Sequence, residues 1–431
     1  MQTIQTSRIP GPLRIAAARK SQCPPVTGGE NFALEGKCPD KMVRDLTQKL
    51  LNYCRSNNWA GYDPYDALNS KVFKAIPFLN FRFARLAFTQ AMKRSPLNFR
   101  KVLGVRKSGN PKGLALFLTA LLKLSRQGQP DCTDIIRCLA DKLVGSHSAC
   151  RPEWCWGYNF EWQARTGLVP NGYPNIICTT FAANALLDFY EKTGDPQFLA
   201  KAASAAGFIH QFLYRDSGNS SGYFSYTELE QSPVHNANLL GAAFLCRAFR
   251  KTGEKIWLHT ALKAARFTAN RQQGNGSWTY GELPTQQWID NFHTGFNLCA
   301  LRSIGRDTAT SEFETVVRNG YRFYRNHFFD HGSVPKYFHN RTYPVDAHSV
   351  AQSIITLVEF NDLDPEAIQL AHAVLVWAKR HLWDERGFFY YQKHRYLTNR
   401  IPYMRWSQAW MLLALSTLPD HRPSLQFNCD P

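Results

Sequence analysis

Between residues 157 and 410 one pattern comes round five times: a glycine-led aromatic loop, a polar cluster, then an apolar helix. The clusters begin at Cys178-Thr179-Thr180, Asn236-Ala237-Asn238, His293-Thr294-Gly295, His348-Ser349-Val350 and Trp406-Ser407-Gln408, so their anchors stand 58, 57, 55 and 58 residues apart. A unit of this length is a supersecondary element that cannot bury its apolar face alone, so the units must stack into an array. The loops match as well, at Gly222–Tyr226, Gly276–Tyr280, Gly332–Tyr337 and Gly387–Tyr391, with Gly157–Trp162 as an earlier variant. Alternating aromatics after a glycine predict a short extended segment or hairpin laid over the next helix.

Helical periodicity runs through 181–190, 239–249, 296–304, 350–358 and 409–418. Two of these helices stop at matching turns, with Gly194 before Asp195 and Gly253 before Glu254. Glycine supplies a left-handed C′ residue there, and the acid favours the start of the next helix. More amphipathic helices follow at about 196–213, 254–271, 309–328 and 364–382. Upstream, 113–124 pairs with 133–144, which leaves the helix at 41–55 and the last one at 406–418 each without a partner. If those two pair, the chain closes into a ring of six hairpins, the loop Trp59–Asp66 becomes the sixth aromatic loop, and 72–110 is an insertion in that unit. The expected organisation is therefore an all-α (α/α)6 toroid over residues 40–419, between a flexible basic tail (1–39) and a short C-terminal tail (420–431).

Apolar residues make up 44% of the 431, enough for a sizeable core. The longest apolar run, Leu114–Leu122, is too short to span a bilayer, and no secretory apolar stretch opens the chain. Eleven cysteines, an odd number without a CxxC pair, fit a reducing compartment, so a cytoplasmic location is expected. No metal site and no cofactor are expected. The net charge of +18 attracts polyanions, yet the basic residues are spread along the chain and no nucleic-acid-binding signature occurs. The expected partner is an oligo- or polysaccharide, anionic by this charge, and not nucleic acid. Contact with an anionic membrane surface or a synthase complex is a further expectation.

With six hairpins, the chain resembles the six-hairpin (α/α)6-toroid superfamily of glycoside hydrolases, uronate-cleaving hydrolases, polysaccharide lyases and sugar epimerases. The segments Gly61–Ser70 and Asn291–Asn297 look more narrowly like members associated with bacterial polysaccharide biosynthesis. The resemblance implies work on carbohydrates without choosing a reaction, because one fold hosts several chemistries. A rival resemblance lies in Gln272–Trp278, which is close to the Gln/Trp motif of terpenoid-cyclase toroids, although the acidic motif those enzymes need is missing.

Polar clusters at the inner-helix ends would face a central cleft. Hydrolysis of a glycosidic bond requires two carboxyl groups, for which Asp63 and Asp66 are the candidates. Epimerisation or elimination requires a base of His or Tyr type, and His293 and His348 stand at matching repeat positions. These four are the catalytic candidates. Saccharide contacts are expected from aromatic faces (Tyr62, Tyr65, Trp156, Trp278, Tyr280, Trp406) and from polar groups (His235, Asn236, Asn238, Asp290, Asn297, Asp346, Gln352, Arg405, Gln408). The Asn residues, Asp290 and Asp346 are equally placed to cap helices. Glycosidic cleavage, hydrolase before lyase, is the leading expectation. Sugar epimerisation and a non-catalytic glycan-binding partner of a synthase complex are the alternatives.

Overall fold

Helix caps fall where the polar clusters begin. The computed structural model describes residues 39–127, 132–164, 166–218 and 221–418. The tails expected over 1–39 and 420–431 lie, Pro39 apart, outside the described residues. The first helix, α1 (Pro39–Ser56), is followed by two helices of the insertion, α2 (Lys71–Lys74) and α3 (Arg82–Arg94). Helical hairpins then follow in order: α4 (Pro111–Arg126) with α5 (Thr133–Gly145), α6 (Ile176–Thr193) with α7 (Pro196–Phe208), and α8 (His235–Thr252) with α9 (Lys255–Ala269). Next come α10 (Asn291–Thr308) with α11 (Glu314–His327), α12 (Ala347–Glu359) with α13 (Ala367–Leu382), and α14 (Trp410–Thr417), entered through a π-helical turn at Met404–Ala409.

Side chains of Asn110, Asn175, Asp290 and Asp346 accept from the first free amides of α4, α6, α10 and α12, contacts worth about 1 kcal/mol each. Gly194 and Gly253 end α6 and α8 at φ +70° and +80°, a conformation that costs glycine nothing. The helices α4, α6, α8, α10, α12 and α14 pack side by side as an inner ring that closes, because α14 lies against both α12 and α4. Each has an outer partner: α5, α7, α9, α11, α13 and, for α14, the first helix α1. The fold is an all-α (α/α)6 toroid. Each inner helix buries most of its residues, and one continuous core runs from Leu46 to Leu418.

The glycine-led loops become two-stranded hairpins in three repeats, pairing Tyr214–Asp216 with Gly222–Phe224, Phe329–Asp330 with Val334–Pro335, and Trp383–Asp384 with Phe388–Phe389. Polar side chains two residues past two of the anchors pin them down. Asn238 accepts from the Phe224 amide at 2.9 Å, and Gln408 clamps both the amide and the carbonyl of Phe389 at 2.8 Å. Such planar amides hold a strand as a neighbouring strand would. Gln272 likewise ties its loop to α11 through the Val316 carbonyl (2.8 Å).

Candidate functional site

A cavity of about 470 Å³ opens among the starts of the inner helices, within the size range of small-molecule sites. The anchor positions Asn236, His293, His348 and Trp406 line it, and so do Arg405, Tyr65 and Tyr280. Register explains the selection, since these anchors repeat every 55–58 residues and fall at the second or third residue of each inner helix or its entry turn. His235, one residue off, is rotated about 100° around its helix. Its Nε2 meets Glu282 at 2.9 Å and its Nδ1 meets Thr268, so it does not reach the cavity.

His293 and His348 meet on one aromatic wall. Phe292 lies 4.3 Å from the ring of His293 and 4.4 Å from that of His348. Asp290 caps α10 through the His293 amide (3.0 Å) and also takes His293 Nδ1 at 2.7 Å, which fixes the tautomer and leaves Nε2 for a ligand. His348 is sandwiched between Phe292 and Trp410, each 4.4 Å away, with Trp406 edge-on. Neither of its ring nitrogens has a hydrogen-bond partner. Burial first, then Lys112, His293 and Arg405, drive its pKa well below the ordinary value, so it is neutral at pH 7. Asn236 Oδ1 is the other unpartnered buried polar atom among the lining side chains. Buried polar atoms are normally paired, and the two residues that carry these atoms border the cavity.

The remaining wall is aromatic and basic. Tyr280 stacks on Trp288 (4.5 Å between centroids, 13° between planes), and the hydroxyls of Tyr158 and Tyr226 meet at 2.8 Å. Burial raises both phenol pKa values, keeping the hydroxyls protonated as donors. Lys112, in the first turn of α4, holds its ammonium 4.5 Å over Phe181 and 5.0 Å over Trp410. Burial, then Arg405, lowers its pKa to about 7. Among the lining side chains Glu230 is the only carboxylate.

Several expected site residues lie elsewhere. Both oxygens of Asp63 accept from Arg405 (2.6 and 2.8 Å), and Asp66 accepts from Arg100 at 2.6 Å and from the Asp63 amide at 2.9 Å. Both carboxylates are consumed in a buried seam outside the cavity lining; a charge removed from water needs such partners. Burial, opposed by Arg100, raises Asp66 to about 6. Tyr62 borders a separate recess with Lys107. Trp156 and Trp278 are fully buried, their indole N–H groups given to the carbonyls of Leu143 and Thr268, so neither is a stacking floor. Asn238 and Gln408 hold loops, as above. Asp290 and Asp346 stand in the second layer, Asp346 accepting from Gln392 and Trp406, where burial raises its pKa to about 6. Gln352 is turned to Thr356, and Asn297 is buried with an unpartnered Oδ1. The cavity adds Lys93, Lys112, Glu230 and Trp288, which were not among the candidates. A signal did exist for Lys112: the first hairpin starts there, although it stands 66 residues before the Cys178 anchor, outside the 55–58 spacing.

Among the described residues no cluster of His, Cys, Asp and Glu is placed to hold a metal ion, and no helix is long and apolar enough to cross a membrane.

No protein-family model matches the chain, nor does any curated protein. Solved structures do. A cellobiose 2-epimerase from Bacillus thermoamylovorans aligns at TM-score 0.55 and 10% identity, over 72% of this chain and 87% of that one. An unsaturated glucuronyl hydrolase from Streptococcus agalactiae aligns at 0.55 and 13%, over 91% and 96%. A protein from Listeria innocua aligns at 0.59 and 11%, over 89% and 97%. The chain thus shares the (α/α)6 toroid fold of these solved structures.

Proposed function

We propose that the cavity binds an anionic saccharide and transfers protons at a carbon next to its carbonyl or carboxylate, the chemistry of a sugar epimerase or isomerase. The observation that carries this is the pair of unlike imidazoles on the Phe292 wall. His348 is neutral with both nitrogens buried and, among the described residues, unpartnered, and His293 is oriented by a carboxylate through Nδ1. A neutral imidazole accepts a proton, and a carboxylate-backed one relays it. Phenols, Asn236 and Arg405 supply donors for the enolate-like anion that forms between the two transfers. Stacked Tyr280 and Trp288 offer the flat face that a sugar's C–H surface prefers. Arg405 is matched by Asp63 and Lys93 leans on Tyr65, so Lys112 is the charge a carboxylate or phosphate of the ligand would answer. Solved proteins of this fold include a cellobiose 2-epimerase and unsaturated glucuronyl hydrolases, which supports a saccharide ligand. A role in polysaccharide assembly or modification belongs to this reading, on the Gly61–Ser70 and Asn291–Asn297 segments.

Glycosidic hydrolysis is the second reading, carried by Glu230 in the lining. It lacks the second facing carboxyl that such cleavage normally uses. Incubation of neutral and uronate-containing oligosaccharides with the protein in deuterated water separates the readings. Deuterium fixed at one carbon without chain cleavage is the expected result. New reducing ends without deuterium would establish hydrolysis instead, and new reducing ends with the absorbance of an unsaturated uronate would establish elimination. Binding without any of these changes would overturn both readings in favour of a glycan-binding partner.

A further inference from the structure

Residues 72–110, the insertion between the sixth aromatic loop and α4, contain nine Lys and Arg and no Asp or Glu. They also carry large apolar side chains in solvent: Phe78 is 78% exposed, Phe83 74%, Val102 81% and Leu97 63%. A soluble surface rarely groups such residues without a partner for them. Between α2 and α3 lies an apolar recess of about 370 Å³, lined by Val72, Phe73, Ile76, Leu79, Phe88 and Leu103 among others. Exposed Arg82, Arg94, Lys101 and Arg106 belong to the same segment and form no ion pair among the described residues. A second element adjoins, since Asn399 of the hairpin 392–399 donates to the Ser95 carbonyl at 2.9 Å. The tip of that hairpin exposes Tyr396 (86%) and Leu397 beside Lys393 and Arg395.

We propose that this insertion docks the protein on an anionic lipid bilayer, with its protruding phenylalanines and Val102 in the headgroup–acyl boundary and its Lys and Arg on lipid phosphates. Charge complementarity selects the occupant. Protruding apolar side chains ringed by uncompensated cations suit a surface that is apolar below and anionic at its face. An acidic protein would answer the cations but leave the apolar tips without a preferred depth. The recess between α2 and α3 is of a shape and chemistry to take part of an acyl chain. Docking is coupled to the cavity by α3 itself: Lys93 lines the cavity, and Arg85 on the same helix holds Gln163, another lining residue, at 2.7 Å. A protein held by α3 would meet saccharides at the membrane surface.

Co-sedimentation of the full chain with vesicles tests this, using phosphatidylcholine alone and phosphatidylcholine mixed with phosphatidylglycerol. The expected result is pelleting with the mixed vesicles only, weakening as salt is raised. Phe78→Ser/Phe83→Ser/Val102→Ser and, separately, Arg82→Glu/Lys101→Glu should each weaken it by on the order of tenfold or more, with unchanged melting temperature because the side chains are exposed. Absence of pelleting at low salt, equal pelleting with neutral vesicles, or triple-Ser binding equal to the parent would overturn the proposal. So would concentration-dependent self-association abolished by the triple substitution, which would assign the patch to a second copy of the chain.

Discussion

Two buried polar clusters lie at the same mouth of the ring and could hardly be more different. In the seam around Gly61–Ser70, all four carboxylate oxygens of Asp63 and Asp66 are taken, by Arg405, Arg100 and backbone amides. On the Phe292 wall, His348 has two ring nitrogens with nothing to bond. Both clusters are buried, and both lie at the starts of inner helices or in the loops before them. The difference is that the seam has closed its own chemistry while the wall has left its chemistry open. Gly61 shows how tight the seam is, for a Cβ there would stand 2.6 Å from Met404 Cβ. A carboxylate locked between guanidiniums is a poor proton carrier, whereas an unpaired imidazole in a cavity is a costly structural residue and a useful chemical one.

That contrast can be broken at either end. The largest effect is expected for Asp63→Ala, which strands Arg405 in the interior and should cost about 3–5 kcal/mol in denaturant unfolding; a loss under about 1 kcal/mol would mean that the seam is not structural. His293→Gln should leave the melting temperature in place while lowering turnover by about 10²–10⁴-fold, and wild-type-like turnover would take His293 out of the mechanism. Lys112→Met comes next. The lysine's folded pKa of about 7 lies below its ordinary 10.5, through burial and then Arg405, with Cys178 and Asp63 acting weakly the other way. Between those two pH values the unfolded chain binds the extra proton, so the lysine's penalty is complete below pH 7 and fades as pH rises toward 10.5. Lys112→Met should therefore stabilise the protein by on the order of 3 kcal/mol at acidic pH and by little above pH 10.5, read from unfolding curves across pH. A gain that does not depend on pH would show that the effect is packing alone. The smallest change is expected from His348→Phe, which removes unpaired buried nitrogens between Phe292 and Trp410. It should raise stability by about 1 kcal/mol and abolish turnover, and a loss of stability would mean that the imidazole has a structural bond.

Most of the architecture was legible because the repeat is long and its punctuation is chemical. Gly194, Gly253 and the Asx caps mark helix ends that any chain with this backbone must satisfy. The pairing of α1 with α14 followed from counting. Within the site, the anchor positions Asn236, His293, His348 and Trp406 line one cavity. What the register could not reveal is which of two neighbouring polar residues turns inward, as Asn236 and His235 show, because a single residue is nearly a third of a helical turn. Nor could it reveal that Asp63 would meet Arg405, 342 positions away. Trp156 and Trp278 were indistinguishable in sequence from cleft aromatics. Their indole N–H groups find backbone carbonyls, which only the folded chain supplies.

The packing of α1 on α14 has a consequence for how the molecule is made. During synthesis from the N-terminus, α1 emerges before every other described helix and its partner α14 after them, so α1 waits through the production of every hairpin between. Until residues 404–417 leave the ribosome, the flanks of α4 and α12 that α14 covers stay open to solvent, and Asp63 has no Arg405. Intermediate chains of this protein therefore expose apolar helix faces for the whole period of elongation, the state most in need of a chaperone. Joining α14 ahead of α1 in a permuted chain would shorten that wait while leaving α14 the same inner-ring neighbours, α4 and α12.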